Sequence, residues 1–253
     1  MRVLRERLAF LFGCLVGGAW FLLCSALGVV WLLLSPGNRQ TLYMYGRVFC
    51  RGLMRLMGWT IDVAGRERMN AARPCVFVAN HQSFLDVVTF GSIFPPRTVS
   101  AGKREIGRIP VFGWFYRLSG NLVIDRDHPR GALASLEAAA HAIGEEKLSV
   151  WFMPEGHRNT GPKLLPFKSG AFRLARAAGV PIVPIVAAPL TALADPSRWR
   201  ARRGTLRVRV LEPIRVEDPG AEAVAETAAR VRARMQEALD DLRATALSAA
   251  AAR

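Results

Sequence analysis

A long apolar segment dominates the hydropathy pattern near the N-terminus. No charged residue occurs from Leu8 to Leu34, and a helix over this segment would reach roughly 40 Å, enough to cross a bilayer. Arg2, Arg5 and Arg7 precede it, as basic residues do in a signal peptide. The segment is too long for a signal peptide, however, and has no clear small-x-small cleavage site. The pattern therefore predicts a helix that lies in lipid.

The residues around this segment leave two membrane arrangements open. Arginines lie on both sides of it, so the positive-inside rule favours neither orientation. The pair Gly17-Gly18 could loosen the helix. Residues 35–38 predict a turn, after which Leu42 to Leu56 predicts a second, amphipathic helix. Residues 1–58 are therefore predicted to anchor the chain, either as a single span or as a helical hairpin in one leaflet.

Beyond residue 58, short apolar runs alternate with helical patterns, which is typical of an α/β domain. Strands are predicted at residues 60–64, 75–79, 98–101, 122–124, 149–153, 180–187 and 207–210, and helices at 83–94, 133–143 and 167–178. Pro181 and Pro184 indicate a peripheral position or a bend for the strand at 180–187, and the strand at 207–210 is expected late or at an edge. The fold class is α/β: a mixed, largely parallel sheet flanked by helices, after the N-terminal hydrophobic helical anchor.

The C-terminal segment has helical periodicity from about Glu222. The apolar residues on one face are Val224, Ala228, Val231, Met235, Leu239 and Leu242. This face is narrow, so we expect an amphipathic helix that packs on the domain rather than on a membrane. Residues 59–253 are therefore predicted to form one domain that includes this helix.

Composition narrows the class of partner. The chain has 35 Lys and Arg against 20 Asp and Glu, a formal charge of +15, which favours either nucleic acid or an anionic bilayer as partner. The apolar N-terminal segment favours the bilayer. No helix-turn-helix or interleaved aromatic pattern supports nucleic acid. The four cysteines have neither metal-ligand nor redox spacing, so no metal is expected.

The candidate chemistry lies in the segment Asn80-His81-Gln82-Ser83-Phe84-Leu85-Asp86. A His held by a carboxylate can remove a proton from a hydroxyl near neutral pH. In a regular helix, five residues turn about 500°, so His81 and Asp86 cannot meet from mid-helix positions. Ser83 is a natural N-cap, which predicts His81 on a loop after a strand and Asp86 at the third helical position. Taken alone, Ser83 and Asp86 could be only a capping box.

Three further segments follow in order. They are Gly102 to Pro110 with Ile124-Asp125-Arg126, then Phe152-Met153-Pro154-Glu155-Gly156-His157-Arg158-Asn159 continued by residues 164–172, and finally Val180 to Ile185. Together with the His-x4-Asp segment they resemble the glycerolipid acyltransferase family, and within it the bacterial branch that acylates 1-acyl-sn-glycerol-3-phosphate. The resemblance covers about residues 76 to 186.

The resemblance implies a reaction and a location. His81 would be the catalytic base and Asp86 its partner. The fatty acyl group would pass from acyl-CoA or acyl-carrier protein to the 2-hydroxyl of 1-acyl-sn-glycerol-3-phosphate, giving phosphatidate. The enzyme would need no cofactor. It would lie on the bacterial inner membrane with its active site facing the cytoplasm, and its partners would be an anionic phospholipid bilayer, the lysophospholipid and the acyl donor.

The resemblance also implies acceptor-binding residues. Those expected to hold the phosphate and glycerol are Lys103, Arg126, Glu155, Gly156 and Arg158, with Asn80, His157 and Lys168 as further candidates. His157 departs from the family pattern, which has Thr or Ser at this position. For that reason a different lysolipid acceptor, such as a lyso-ornithine lipid, stays open. A non-catalytic membrane-surface protein is the alternative of another class.

Overall fold

A mixed seven-stranded sheet organises the domain that follows the N-terminal helices. The computed structural model describes residues 2–124, 129–216 and 221–251. The strands are β1 (Trp59–Ala64), β2 (Val76–Ala79), β3 (Thr98–Lys103), β4 (Leu122–Ile124), β5 (Ser149–Phe152), β6 (Ile182–Ala187), β7 (Ala194–Asp195), β8 (Arg200–Ala201) and β9 (Gly204–Val210). The order across the sheet is β1-β9-β6-β2-β5-β3-β4, while β7 and β8 pair separately. Among the described strands of the large sheet, β6 and β9 alone pair antiparallel, which confirms the predicted fold class.

Helices cover both faces of this sheet and form the N-terminal region. They are α1 (Arg2–Leu34), α2 (Thr41–Tyr45), α3 (Arg51–Met57), α4 (Arg66–Ala71), α5 (Asp86–Gly91), α6 (Phe112–Leu118), α7 (Pro129–Glu146), α8 (Gly170–Ala177) and α9 (Ala221–Ala251). One π-helical turn, Gly46–Cys50, joins α2 to α3. Because both faces of a parallel sheet are covered, its central strands are mostly apolar. Strands β2, β5 and β6 are accordingly buried along their whole length.

The N-terminal helices form a hairpin. Helix α1 is continuous, and the segment from α2 to α3 packs back against it. Trp20 Nε1 donates a hydrogen bond to the Phe49 carbonyl across 3.3 Å. The expected loosening at Gly17-Gly18 is wrong. Glycine keeps its backbone N–H and so need not break a helix, and Gly17 is buried at the contact with Leu53 of α3.

Ion pairs attach this hairpin to the domain at both ends of α1. Near its start, Arg202 donates two hydrogen bonds to the Glu6 carboxylate, at 2.9 and 3.3 Å. Just beyond its end, Arg39 donates two to the Glu146 carboxylate, at 2.6 and 2.8 Å. Between these points α1 packs against α6 and β8. The helix therefore lies along the domain over its length.

Pro181 and Pro184 predicted either a peripheral strand or a bend, and the peripheral position is wrong. Strand β6 lies between β2 and β9 rather than at the periphery. Its pairing with β9 covers only residues 185–187, so the missing N–H of Pro184 falls where β9 has ended. The Pro184 carbonyl still accepts a hydrogen bond from Leu211 at 2.9 Å. Strand β9 is late in the chain, which confirms one of its two predicted alternatives, and the edges of the sheet are β1 and β4.

The three predicted helices of the domain are confirmed as α5, α7 and α8, but their first residues differ from the predicted ones by three or four positions. Helix α8 begins at Gly170 rather than at residue 167, because the preceding residues form the loop in which Lys168 N–H donates to the Pro154 carbonyl. The predicted apolar face of α9 is buried at every position: Val224, Ala228, Val231, Met235, Leu239 and Leu242. The C-terminal helix therefore packs on the domain as expected.

Candidate active site

The His81 imidazole and the Asp86 carboxylate meet at the carboxyl edge of the sheet. His81 Nδ1 lies 2.7 Å from Asp86 Oδ2. The Asp86 side chain is buried, whereas that of His81 is 22% exposed. His81 lies on the loop between β2 and α5, as its spacing from Asp86 predicts. With Nδ1 turned to the carboxylate, Nε2 is the ring nitrogen left for a substrate hydroxyl.

Backbone groups hold the Asp86 carboxylate in place. Its Oδ2 atom accepts hydrogen bonds from the backbone N–H of Gln82 at 2.7 Å and of Ser83 at 3.0 Å. Helix α5 begins at Asp86 itself, and the Ser83 hydroxyl accepts a hydrogen bond from Leu85 N–H before the helix starts. The predicted helix start after Ser83 is therefore too early, although the side chains of Ser83 and Asp86 both accept backbone N–H groups here, as in a capping box. A carboxylate is the stronger acceptor for free N–H groups, and it folds the loop back so that the ring reaches it.

A second buried carboxylate, Glu155, fixes the backbone of His81. Its Oε1 atom accepts a hydrogen bond from His81 N–H at 2.9 Å, and Oε2 accepts one from Leu165 N–H at 3.0 Å. Asn159 N–H donates to the His81 carbonyl at 2.8 Å. The sequence led us to expect Glu155 at the acceptor. Its contacts with the protein join the loops after β2 and β5, and its expected contact with the acceptor stays a prediction.

The residues on either side of His81 are tied to the end of β6. The buried Asn80 amide accepts a hydrogen bond from Ala187 N–H at 2.9 Å and donates one to the Ala187 carbonyl at 3.1 Å. Gln82 Nε2 donates to the carbonyls of Ala187 and Ala188, at 2.8 and 3.3 Å. The Asn80 side chain thus binds the backbone at the end of β6. Gln82, which the sequence did not identify as a site residue, binds the same backbone. The loop that carries His81 is therefore anchored on both sides of the imidazole.

Basic side chains lie at the same edge. Lys103 ends β3 and is half-buried, while Arg158, on the loop after β5, and Lys168, before α8, are exposed. In the described parts of the chain, no carboxylate pairs with any of these three cations. Parallel strands bring their carboxyl ends together, so the positive charge lies on the side of the sheet where His81 is. Arg126, also predicted to bind phosphate, lies outside the described residues.

Gly156 and His157 form the turn between Glu155 and Arg158. Gly156 has a φ of 75°, in the left-handed region that favours glycine. Its N–H donates to the Met153 carbonyl at 3.1 Å. This turn ends β5 and leads to the exposed residues His157 and Arg158.

An apolar chamber of about 450 Å³ lies between the hairpin and the domain. Gly17 and Gly18 line it from α1, and Leu53 lines it from α3. On the domain side, Phe84 and Leu85 belong to the loop of the His–Asp pair. The chamber is apolar and reaches the loop that carries His81 and Asp86, and a cavity of this kind is suited to an alkyl chain.

The sequence did not predict this chamber, because its lining comes from segments far apart in the chain. One signal was present in the small residues of α1, Gly13 and Gly17, which are four positions apart and so share a helix face. A Cβ at Gly13 would lie 2.7 Å from Met57 Cε, and one at Gly17 would lie 3.2 Å from Leu53 Cδ1. These glycines permit α3 to approach α1 closely.

No group of three or more His, Cys, Asp or Glu side chains suited to a metal ion occurs in the part of the chain that the structure describes. The geometry is that of a base held by a carboxylate. It can remove a proton from a hydroxyl and return it to a leaving group.

Comparisons with known proteins agree on one family. The sequence pattern of the Acyltransferase family matches residues 60–188. The chain is 34% identical over 233 residues to a 1-acyl-sn-glycerol-3-phosphate acyltransferase of Salmonella typhimurium, covering 92% of this chain and 94% of that protein. It is 33% identical, with the same coverage, to the Escherichia coli protein of that name. A human relative, 1-acyl-sn-glycerol-3-phosphate acyltransferase beta, is 37% identical over 75% of this chain and 69% of its own length.

The fold is also found in a solved structure. The crystal structure of the 1-acyl-sn-glycerophosphate acyltransferase PlsC from Thermotoga maritima superposes with a TM-score of 0.74, covering 94% of this chain and 99% of that one. The two sequences are 21% identical. The likeness therefore concerns the arrangement of helices and strands, including the N-terminal helices.

Proposed function

Because the chain belongs to the acyltransferase family, we propose that it transfers a fatty acyl group to the 2-hydroxyl of 1-acyl-sn-glycerol-3-phosphate and so forms phosphatidate. Its relatives in Salmonella typhimurium and Escherichia coli are named for this acceptor. The observation that carries the proposal is the contact of 2.7 Å between His81 Nδ1 and the buried Asp86 carboxylate. Unpaired cations and an apolar chamber beside this pair suit a substrate with a phosphate and an alkyl chain.

The mechanism follows from the orientation of the imidazole. His81 Nε2 removes the proton from the glycerol 2-hydroxyl while Asp86 fixes the tautomer and stabilises the imidazolium. The hydroxyl oxygen attacks the carbonyl carbon of an acyl thioester. As the tetrahedral intermediate collapses, the C–S bond breaks and the leaving thiolate takes the proton from His81. The ester and the free thiol are released.

The cations at the carboxyl edge suit the acceptor phosphate. Arg158 can donate two parallel hydrogen bonds to phosphate oxygens, and the ammonium group of Lys103 adds a point charge. Neither side chain has a competing carboxylate among the described residues. Arg126 is proposed for the same phosphate on the sequence resemblance alone. Glu155 and Asn80 are proposed as positioning residues, because their side chains hydrogen-bond to backbone groups of the catalytic loop and of β6.

We assign the apolar chamber to the acyl chain of the donor. The acceptor is a lipid whose own chain can remain in the bilayer. The donor, acyl-CoA or acyl-carrier protein, arrives from water, and its chain needs an apolar site to avoid exposure. The chamber meets this need beside Phe84 and Leu85. Since both donors are cytoplasmic, the active site would face the cytoplasm at the bacterial inner membrane.

The N-terminal apolar helix suits membrane association. Of the two arrangements left open by the sequence, we propose the hairpin in one leaflet. The Glu6–Arg202 and Arg39–Glu146 ion pairs hold both ends of α1 to the domain. A helix that crossed the bilayer would draw one end of this polar domain into hydrocarbon, which is strongly unfavourable. The outward side chains of α1 are instead free to enter one leaflet.

The test is the identity of the product. Purified protein in mixed micelles would receive labelled acyl-CoA, or in parallel labelled acyl-carrier protein, with lysophosphatidate or lyso-ornithine lipid as acceptor. We expect labelled phosphatidate to be the main product. Faster acylation of lyso-ornithine lipid would identify that lipid as the acceptor instead. Absence of transfer to either acceptor from either donor would contradict the proposal.

A further inference from the structure

The domain exposes large apolar side chains only beside the N-terminal hairpin. They are Phe84, Val87, Ile109, Trp114, Leu118 and Trp199, and we call this set the apolar rim. In residues 59–123, 136–216 and 222–246, whose side chains are described, no other large apolar side chain is exposed. Trp114 and Trp199 are 60% and 56% exposed. Apolar surface of this extent on one side of a protein usually marks a binding surface.

Part of the rim surrounds the opening of the chamber. Phe84, Val87 and Ile109 line the chamber together with residues of α1, yet all three are exposed. The chamber therefore opens between exposed apolar side chains of the domain and of the hairpin.

Helix α6 carries the next part of the rim. Phe112 and Phe115 are buried, and Phe112 contacts Phe21 of α1 with ring centroids 4.9 Å apart. Trp114 and Leu118 are four positions apart and so share the opposite, exposed face. The helix therefore presents one apolar face to the hairpin and another to the surroundings.

Trp199 extends the rim to the other end of α1. It lies in the turn between β7 and β8, and its ring contacts that of Phe10 with centroids 6.1 Å apart. Phe115 of α6 lies beside Gly28. Phe10 and Gly28 are about 27 Å apart along a helix. The rim thus accompanies α1 over most of its length, continuous with the apolar surface of the helix.

Basic side chains accompany the rim. Arg108 precedes Ile109, and Arg117 lies three positions after Trp114 on the exposed face of α6. In the described ranges neither guanidinium has an ion-pair partner. Tryptophan is enriched where hydrocarbon meets headgroups, and arginines at that level bind anionic lipids. A symmetric contact with a second copy of the chain would place the same positive charge on both surfaces, which disfavours that partner.

We propose that the domain itself binds the bilayer, through the apolar rim and the headgroup-binding residues Arg108 and Arg117. The partner is an anionic phospholipid surface. The inference rests on the proposed position of the hairpin in one leaflet, and it adds a second contact beyond the hairpin. The opening of the chamber then lies at the level of the lipid headgroups. A lysolipid can reach His81 without leaving the membrane.

Depth-dependent fluorescence quenching tests the proposal. The full chain would be reconstituted in vesicles of phosphatidylcholine and phosphatidylglycerol that contain brominated phosphatidylcholine, and bromine would quench tryptophans in the bilayer. We expect Trp114→Phe and Trp199→Phe each to lower the quenchable emission as much as Trp31→Phe, which removes an exposed tryptophan of α1. The matched control is Trp151→Phe, whose tryptophan is buried in the core and should leave the quenchable emission unchanged.

The outcomes separate the rim from the hairpin. If Trp114→Phe and Trp199→Phe behave like Trp151→Phe while Trp31→Phe lowers quenching, the rim is not in the bilayer and the inference is wrong. If Trp31→Phe also has no effect, the position of the hairpin is wrong as well. Acyl transfer measured in the same samples tests the proposed reaction independently.

Two further variants test the headgroup contact and the rival partner. The double variant Arg108→Gln, Arg117→Gln should lower the bromine quenching of Trp114 in vesicles that contain phosphatidylglycerol. In vesicles of phosphatidylcholine alone, the same variant should leave this quenching unchanged. Equal quenching with and without these changes would overturn the role of the arginines. A dimer in detergent that dissociates when Leu118 is replaced by Ser would identify the rim as a contact between copies of the chain, and would overturn the bilayer as its partner.

Discussion

The Glu155 carboxylate accepts a hydrogen bond from the backbone N–H of His81, across 2.9 Å. Its second oxygen accepts one from Leu165 N–H at 3.0 Å. Glu155 is buried, and its carboxylate contacts the backbone of His81. This geometry describes a residue that positions His81.

Replacing Glu155 with Gln tests that role. The amide would turn an N–H donor toward one of two backbone N–H groups, and an unsatisfied buried group costs about 1–3 kcal/mol. We expect a lower kcat and a lower Tm, with little change in KM for lysophosphatidate. A raised KM at normal kcat would instead support the contact with the acceptor that the sequence resemblance implies.

Arg158→Gln should have the opposite kinetic signature. A hydrogen bond to a charged group contributes about 1.5–3 kcal/mol, so loss of a phosphate contact should raise KM for lysophosphatidate about tenfold or more. Tm should hardly change, because Arg158 is exposed. The control is Arg234→Gln, which removes an exposed arginine of α9. If both variants raise KM equally, the effect is one of overall charge and Arg158 does not bind the phosphate.

Gly18→Leu should shorten the preferred acyl chain. Gly18 lines the chamber, and no atom lies within 4 Å of a Cβ placed there. A leucine therefore fits without strain and takes up chamber volume. We expect transfer from long-chain acyl-CoA to fall relative to short-chain acyl-CoA. Gly144→Leu is the matched control in α7, since its Cβ also meets nothing within 4 Å; a chain-length profile changed equally by both variants would refute the assignment.

The Arg39–Glu146 contact predicts a pH dependence of stability. The hydrogen bond from Arg39 lowers the pKa of the Glu146 carboxyl. A pKa below its unfolded value means that the contact stabilises the fold at neutral pH and that this stabilisation is lost as the pH falls through the folded pKa. The side chains are 27% and 39% exposed, so solvent screening keeps the effect small.

Thermal unfolding measures this effect. At pH 7, Glu146→Gln should have a slightly lower Tm than the unmodified chain, and the difference should vanish under acid conditions. Glu145→Gln, at an exposed position of the same helix, is the control. A difference that persists when the carboxyl is protonated would mean that the Arg39 contact is not its source.

Much of the fold could be predicted because local patterns determine it. Apolar runs are typical of parallel strands buried on both faces, and strand β4 has the predicted bounds of residues 122–124. The position of His81 before a helix followed from its spacing to Asp86. The order of strands could not be predicted, because it depends on pairing between distant segments. Pro184 indicated a peripheral strand or a bend, yet β6 is not peripheral, because β9 ends beside that proline.

The part of the site that depends on local sequence could also be predicted. His81 and Asp86 lie close in the chain, so their contact could be inferred from helix geometry. The contacts from Glu155 to His81 and from Asn80 to Ala187 span 74 and 107 positions, and no local pattern predicts them. The chamber likewise needs α1, α3 and the catalytic loop to meet. The contacts of Glu155 and Asn80, and the presence of the chamber, therefore became known only from the structure.

The most direct test of the central claim is acyl transfer to lysophosphatidate by His81→Ala, compared with His141→Ala. His141 is exposed on α7, away from the carboxyl edge. If His81 is the base, its removal should lower kcat by about 10² to 10⁴, the usual contribution of general acid–base catalysis, with an unchanged Tm, while His141→Ala keeps full activity. A His81→Ala protein that is folded and forms phosphatidate at the rate of the unmodified chain would contradict the account.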